Sequence, residues 1–357
     1  ALASFAGLPP VCCSMRARLG LWGTLIDLSL RVRPCRCDDS ERAGTSPLPS
    51  QLVTCVRSGR CVAFIGAGFS RPAGFPDYAD ILRMAVAHEE AQSLLSDKVA
   101  GDFADRLASE RLSQKELDPI QQELTSAIGK DVICRIFAQI LWGRTLQEGG
   151  LMHAQLSALC RIPCAAVITS NWDDLLERYV CSGRLGKQSR TAQGYAAVLG
   201  AQLPAEPGGA PLLKFQGDPS DPSTFVLNEE DYSTLLSDSM YIDFWRELLR
   251  TRVLLFVGAS LSGGYVNDIL REAWHAKCME AREQVDGVGA HAACDKLQPQ
   301  GYIILNDVAA SEAQLWFREY GLVVLSYNSS ATNWRGNLLY LEELASAVMA
   351  ADTTQVC

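Results

Sequence analysis

Four short stretches of the chain combine residue types and spacing that could do chemistry, and the first is CVAFIGAGFSRPAGFPDY, residues 61–78. An apolar run stops at Gly66-Ala67-Gly68, Ser70 follows, and Pro72, Gly74 and Pro76 stiffen the exit. A strand that runs into such a turn presents bare amide N–H groups at the amino end of the next helix, where an anion is favoured. The same turn also serves tight strand-to-helix packing. The three-glycine fingerprint G-x-G-x-x-G is not met, because position 71 is arginine. The acidic residue that should end a second strand about twenty positions later falls in a helical pattern instead, which argues against a dehydrogenase.

The second stretch is TSNWDD (169–174), at the end of the apolar run AAVITS. Asn171 offers a donor and an acceptor there, and Asp173 a carboxylate. Both are equally the residue types that cap a helix, here DDLLERY. The third is KFQGD (214–218), where Gln216 can exchange hydrogen bonds but cannot take a proton near neutral pH. The fourth is GASLS (258–262), with Gly258 and Ser260, and Asn306 ends the run YIILN farther on. His153 reads as a packing residue on the apolar face of MHAQLSAL, and the other three histidines sit in no motif.

These stretches lie at the ends of elements that must hold them. Candidate buried strands are CVAFIG (61–66), AAVITS (165–170), LLKFQG (212–217), RVLLFVG (252–258), YIILN (302–306) and LVVLSY (322–327). Each is mostly apolar without strict alternation, as expected when both faces of a parallel sheet are covered. The pattern predicts an α/β fold, a Rossmann-like doubly wound parallel sheet of about six strands. Between the first two strands lies helical sequence, about 79–160, which reads as an inserted helical subdomain covering one sheet edge. Asp77 can cap its first helix, YADILRMAVAHEEAQSLL, with Asp80 three residues on. Residues 182–194, 203–211 and 283–300 read as loops.

Composition narrows the class. A 48% apolar, 20% charged chain of 357 residues can bury a large core. Its net charge of −9 argues against nucleic acid, which needs clustered Lys and Arg. Thirteen cysteines contain no C-x-x-C and suit reduced thiols in the cytoplasm or nucleus better than a disulfide framework. Residues 1–50 form an Arg-rich extension and linker. Its first 37 residues carry Arg16, Arg18, Arg31, Arg33 and Arg36 against Asp27 alone. That start is read either as an organelle-targeting segment or as a weakly ordered extension. Its apolar stretch 19–30 is too short to span a bilayer. Residues 51–350 form the main domain and 351–357 a tail.

GAGFS followed by GFPDY resembles the sirtuin signature, a G-A-G-x-S loop and then G-I-P-D-F. TSNWDD resembles the sirtuin T-Q-N-I-D, KFQGD sits where that family has His-Gly, and GASLS resembles the G-T-S-L turn. The four blocks occur in the family's order, over roughly residues 50–350. The resemblance is closer to the bacterial-type sirtuin-like domains, often coupled to NAD hydrolysis in defence systems, than to the deacylases. Deacylases carry paired C-x-x-C motifs before G-T-S-L, and residues 218–257 contain no cysteine. STFVLNEEDYSTLL (223–236) is also similar to the sirtuin-like group.

The resemblance implies NAD or a related nucleotide as ligand or substrate, no metal, and release of nicotinamide and ADP-ribose. Gly66, Ala67, Gly68 and Ser70 would cradle phosphates, and Phe75, Pro76, Asp77 and Tyr78 would wall the nicotinamide pocket. Asn171 would position the nucleophile, with Thr169 beside it and Asp173 orienting the carboxamide or its loop. Gly258, Ser260 and Asn306 would approach the adenosine side. Gln216 stands at the family's catalytic histidine, and loss of a general base typically removes a factor of about 10² to 10⁴. Two readings stay open, an NAD glycohydrolase and a degenerate nucleotide sensor or scaffold; a protein deacylase fits poorly. The resemblance leaves homo-oligomerisation open.

Overall fold

The structure is a computed structural model that describes residues 45–109, 112–180, 187–188, 190–204, 209–259, 261, 265–283, 297–332 and 335–350. The Arg-rich start, Ser260, most of the loop 283–300 and the tail lie outside the described residues.

All six expected strands form: β1 (Cys61–Ile65), β2 (Ala166–Thr169), β4 (Leu212–Lys214), β5 (Val253–Val257), β6 (Gly301–Asn306) and β7 (Leu322–Tyr327). The fold is α/β and Rossmann-like. A two-residue strand, β3 (Lys187–Gln188), adds an edge inside the stretch read from sequence as a loop, and the sheet order is β3-β4-β2-β1-β5-β6-β7. Every pairing is parallel. From β1 the chain steps outward through β2 to β4, then returns to lay β5 against the other side of β1. Strand order therefore reverses between β1 and β5, and in open α/β sheets that switch point is where ligands enter.

Period two explains why the strands are apolar throughout. Cys61, Ala63, Ile65, Leu255 and Val257 point to one face, while Val62, Phe64, Leu254 and Phe256 point to the other, and each set joins a separate core. The core on the first face takes in α1 (Ser50–Arg57), α2 (Tyr78–Ala87), α3 (Glu89–Leu94), α4 (Asp97–Leu107), α5 (Gln114–Ile128), α6 (Lys130–Leu141), α7 (Leu151–Arg161) and α13 (Gly336–Ala350). The second is covered by α8 (Ala192–Leu199), α9 (Glu229–Ser237), α10 (Ser239–Thr251), α11 (Tyr265–Glu283) and α12 (Ala310–Tyr320). The helices between β1 and β2 share the apolar core of the first face.

Local differences from the sequence reading have local causes. The helix expected from Tyr78 breaks at His88, whose extended backbone (ψ 139°) ends α2 and whose ring Nδ1 accepts from Glu90 N to start α3. Asp77 caps α2 one way, accepting from Asp80 N at 3.0 Å, while the Asp80 carboxylate takes Arg83 instead of closing a box. LLKFQG pairs only as far as Lys214, and Phe215-Gln216 turn away. His153 is exposed on α7, which buries Met152, Gln155 and Leu156 beside it. Among the described residues, no helix is long and apolar enough to cross a membrane.

Candidate functional site

The turn after β1 shows what comes so close to its glycines. Gly66 N–H donates to Val257 O at 3.0 Å and Gly68 N–H to Gly258 O at 2.8 Å. A Cβ on Gly66 would lie 2.6 Å from Ala259 Cα, and one on Gly68 would lie 2.8 Å from Gly258 O. Gly258 in turn has φ +66°, and a Cβ there would overlap Phe69 N. The ends of β1 and β5 therefore interlock backbone to backbone across the switch point, and only glycine fits either side. Two of the three amides expected to face a ligand are taken by this contact. The exposed Ala67 keeps an N–H with no hydrogen-bond partner among the described residues.

Beside this turn lies a buried chain of polar groups from β2. Thr169 Oγ1 donates to Ile65 O at 2.9 Å and accepts from Asn171 N at 3.0 Å, which fixes the chain as it leaves the strand. Asn171 Nδ2 donates to Gly66 O at 3.2 Å and to Ser70 Oγ at 3.0 Å, and Ser70 Oγ donates to Asp173 Oδ2 at 2.7 Å. Because the Gly66 carbonyl can only accept, the Asn171 amide can be turned only one way. Its Oδ1 is buried and has no partner among the described residues. Asp173 Oδ1 accepts from Leu175 N at 3.1 Å, so the capping role read from sequence is present beside the link to Ser70. Burial pushes the Asp173 carboxyl above its ordinary range, opposed by the Ser70 hydroxyl, the Leu175 amide and Lys214.

Lys214 anchors this segment from the next strand. It is 2% exposed, opposite Thr169 in the β2–β4 register. Its Nζ donates to Asp173 O at 2.8 Å and Trp172 O at 3.4 Å, and pairs with Glu177 at 2.8 Å and Asp218 at 3.7 Å. Glu177 comes from a π-helical turn, Leu176–Val180, where the sequence suggested an ordinary helix start. One buried cation thus holds the backbone that presents Asn171.

Aromatic rings close the other side. Trp172 lies 4.9 Å from Phe225, 5.5 Å from Phe137 and 6.0 Å from Tyr78, centroid to centroid. Burial raises the Tyr78 phenol, with Asp118 and Tyr232 adding to the effect. Phe75 is buried beneath the Arg144 guanidinium, 5.4 Å from its ring, and Arg144 also donates to Gly74 O. Gln216 Nε2 donates to Tyr232 Oη on α9 at 3.2 Å.

The structure therefore gathers Gly66, Ala67, Gly68, Ser70, Thr169, Asn171, Asp173 and Gly258 at adjoining strand ends. Phe75 and Tyr78 lead into α2 beside them, and Gln216 stands past the end of β4. Asp77 spends its carboxylate on the cap of α2 and on an exposed pair with Arg71, with Pro76 half-buried before it. Asn306 is exposed at the end of β6 and donates to Asp307. The sequence reading missed Lys214, Trp172 and Tyr232. A lysine inside an otherwise apolar strand was the available signal for the first.

A family model described as the SIR2-like domain matches residues 165–325, from the start of β2 into β7. The turn 66–78 lies outside that span. No curated protein matches the chain. The match and the Rossmann-like sheet together support a sirtuin-like, NAD-related function.

Proposed function

We propose that this chain binds NAD at the carboxyl ends of β1, β2, β4 and β5 and hydrolyses it to nicotinamide and ADP-ribose. The observation that carries the proposal is the Asn171 side chain: its amide is fixed by Gly66 O and Ser70, and its Oδ1 is a buried acceptor without a partner among the described residues. Buried polar atoms left this way signal a missing partner. A ribose hydroxyl or an attacking water supplies the donor it needs. Ala67 N–H is the amide of the turn open to a phosphate. In the reaction the water oxygen bonds to C1′, the C1′–N electron pair leaves on nicotinamide, and the surplus proton passes to solvent. An oxocarbenium-like transition state asks the protein for orientation, which Asn171, Ser70 and Asp173 provide.

Gln216 favours a second reading, a nucleotide sensor that binds NAD without turnover, since a glutamine amide accepts no proton near neutral pH. Incubation with NAD, following free nicotinamide for wild type, Asn171→Ala and Gln216→His, separates the two. Release by wild type that vanishes in Asn171→Ala establishes the hydrolase. Binding by calorimetry without release, with activity gained in Gln216→His, establishes the sensor. Neither release nor binding in any of the three defeats both readings.

A further inference from the structure

The second aspartate of TSNWDD, Asp174, has no part in the buried polar chain, and its contacts lead elsewhere. Three consecutive residues after α6 are tied to the exit of β2. Trp142 Nε1 donates to Trp172 O at 3.0 Å, Gly143 N donates to Asp174 Oδ2 at 3.3 Å, and Arg144 O accepts from Arg178 Nη2. Arg178 in turn pairs with Asp174 at 3.0 Å. A φ of +73° at Gly143 lets the chain turn between these contacts.

The Arg144 side chain carries this bridge across to the loop that follows the glycine turn. Its Nε donates to Ile140 O at 3.0 Å, which fixes the guanidinium on the end of α6, and its Nη1 donates to Gly74 O at 3.0 Å. The same guanidinium lies over the buried Phe75 ring, 5.4 Å from its centre. Gly74 has φ +76° and nothing within 4 Å of a Cβ built there, so packing does not hold the turn at that point. Neighbouring aspartates therefore hold the two ends of the loop. Asp173 takes Ser70 at 2.7 Å, and Asp174 acts on Gly74 through Gly143, Arg178 and Arg144.

We infer that Arg144 is a positioning residue: it sets Gly74 and Phe75 against the exit of β2 before a ligand arrives. The inference rests on the NAD reading and adds to it a residue outside the four stretches. A loop already in place spares the ligand an ordering step. Once the loop is released, the apparent affinity falls with the fraction of molecules whose loop is still in place. Arg144 acts on NAD only through the loop.

Hydrogen exchange and calorimetry on the full chain test this together. In the free protein, Arg144→Ala should speed exchange of the Ala73 and Gly74 amides, which donate to Ser70 O and Arg71 O. The expected factor is about 2 to 12, the net worth of one hydrogen bond. β1 should keep its protection. Equal loosening of the loop and β1 would mark a merely structural residue and overturn the inference, as would an unchanged loop. NAD affinity should fall within the same span in Arg144→Ala and by less in Arg178→Met. The double variant should bind no worse than Arg144→Ala alone, because Arg178 acts through Arg144. Additive losses, or a loosened loop with unaltered affinity, overturn the inference. Wild type that binds no NAD defeats the NAD reading and with it any role in binding, while the exchange result separately decides whether Arg144 holds the loop.

Discussion

Lys214→Met would test whether one buried cation organises the site. Lys214 is 2% exposed, and its ammonium holds the Glu177 carboxylate at 2.8 Å and that of Asp218 at 3.7 Å. Removing one partner of a buried ion pair typically costs about 3–5 kcal/mol, because the remaining charge stays desolvated. Here two carboxylates lose their cation, and the Asp173 and Trp172 carbonyls lose a charged donor. The expected loss is therefore at the upper end, about 4–5 kcal/mol, a large share of the roughly 5–15 kcal/mol that keeps a domain folded. Urea unfolding should show it as a lower midpoint with an unchanged slope. Adding Glu177→Gln and Asp218→Asn should recover part of the loss, since neutral groups need no cation. NAD affinity should stay reduced in that triple variant, because the Asp173 carbonyl then lacks its Lys214 donor and Trp172 O keeps only Trp142 Nε1. A loss below about 1 kcal/mol for Lys214→Met alone would refute the reasoning, since only a hydrated cluster tolerates such a change.

Ser70→Ala should destabilise by about 1.5–3 kcal/mol at neutral pH, the range for a hydrogen bond to a charged group. The Asp173 carboxyl is already raised by burial, and the Ser70 hydroxyl is the largest influence opposing that rise. A raised acid favours the folded state below its unfolded pKa, about 3.9, and that contribution is lost as pH rises through the folded pKa. Without Ser70 the decline should reach to higher pH, so the gap between variant and wild type should widen from pH 4 to pH 8. A gap that is constant over that interval would contradict it. Gly258→Ala and Gly74→Ala form a matched pair: both sites have positive φ, but a Cβ at Gly258 meets backbone while nothing lies within 4 Å at Gly74. Gly74→Ala should cost about 1–2 kcal/mol by thermal unfolding and Gly258→Ala clearly more. Equal losses would show that the two strand ends do not interlock.

The strands were legible because a parallel sheet with two covered faces leaves no alternation to misread. Cys61 to Ile65 are buried without exception. What escaped was short or partner-dependent. Lys187 and Gln188 join the sheet by backbone pairing with Leu212 and Leu213, which side-chain pattern does not encode. The break at His88 is a backbone choice within a helical pattern. At the site, residue types were readable one stretch at a time, but their connections were not. Ser70 and Asp173 are 103 positions apart, and only the β1–β2 pairing brings the hydroxyl to the carboxylate. Lys214 showed as an oddity in an apolar strand, and its anions come from a π turn and a loop whose approach no local rule predicts.

The glycines of the first stretch carry a different lesson from the one their sequence suggests. A glycine turn at a strand end invites a phosphate reading, in which each missing side chain makes room for a ligand. Here Gly66 and Gly68 make room for the β5 backbone, and their N–H groups are used there. On the proposed NAD reading the contribution of the turn is therefore geometric. It draws the β1 and β5 ends together at the reversal of strand order. On the proposed NAD reading, such a site should hold phosphate weakly, with Ala67 N–H the open amide of the turn among the described residues, and should depend more on the ribose end, where Asn171, Ser70 and Asp173 are linked and buried. ADP-ribose should consequently lose far more affinity in Asn171→Ala than AMP, which has phosphate but not the second ribose. Equal losses for the two ligands, measured by calorimetry, would return the glycine turn to the role its sequence first implied.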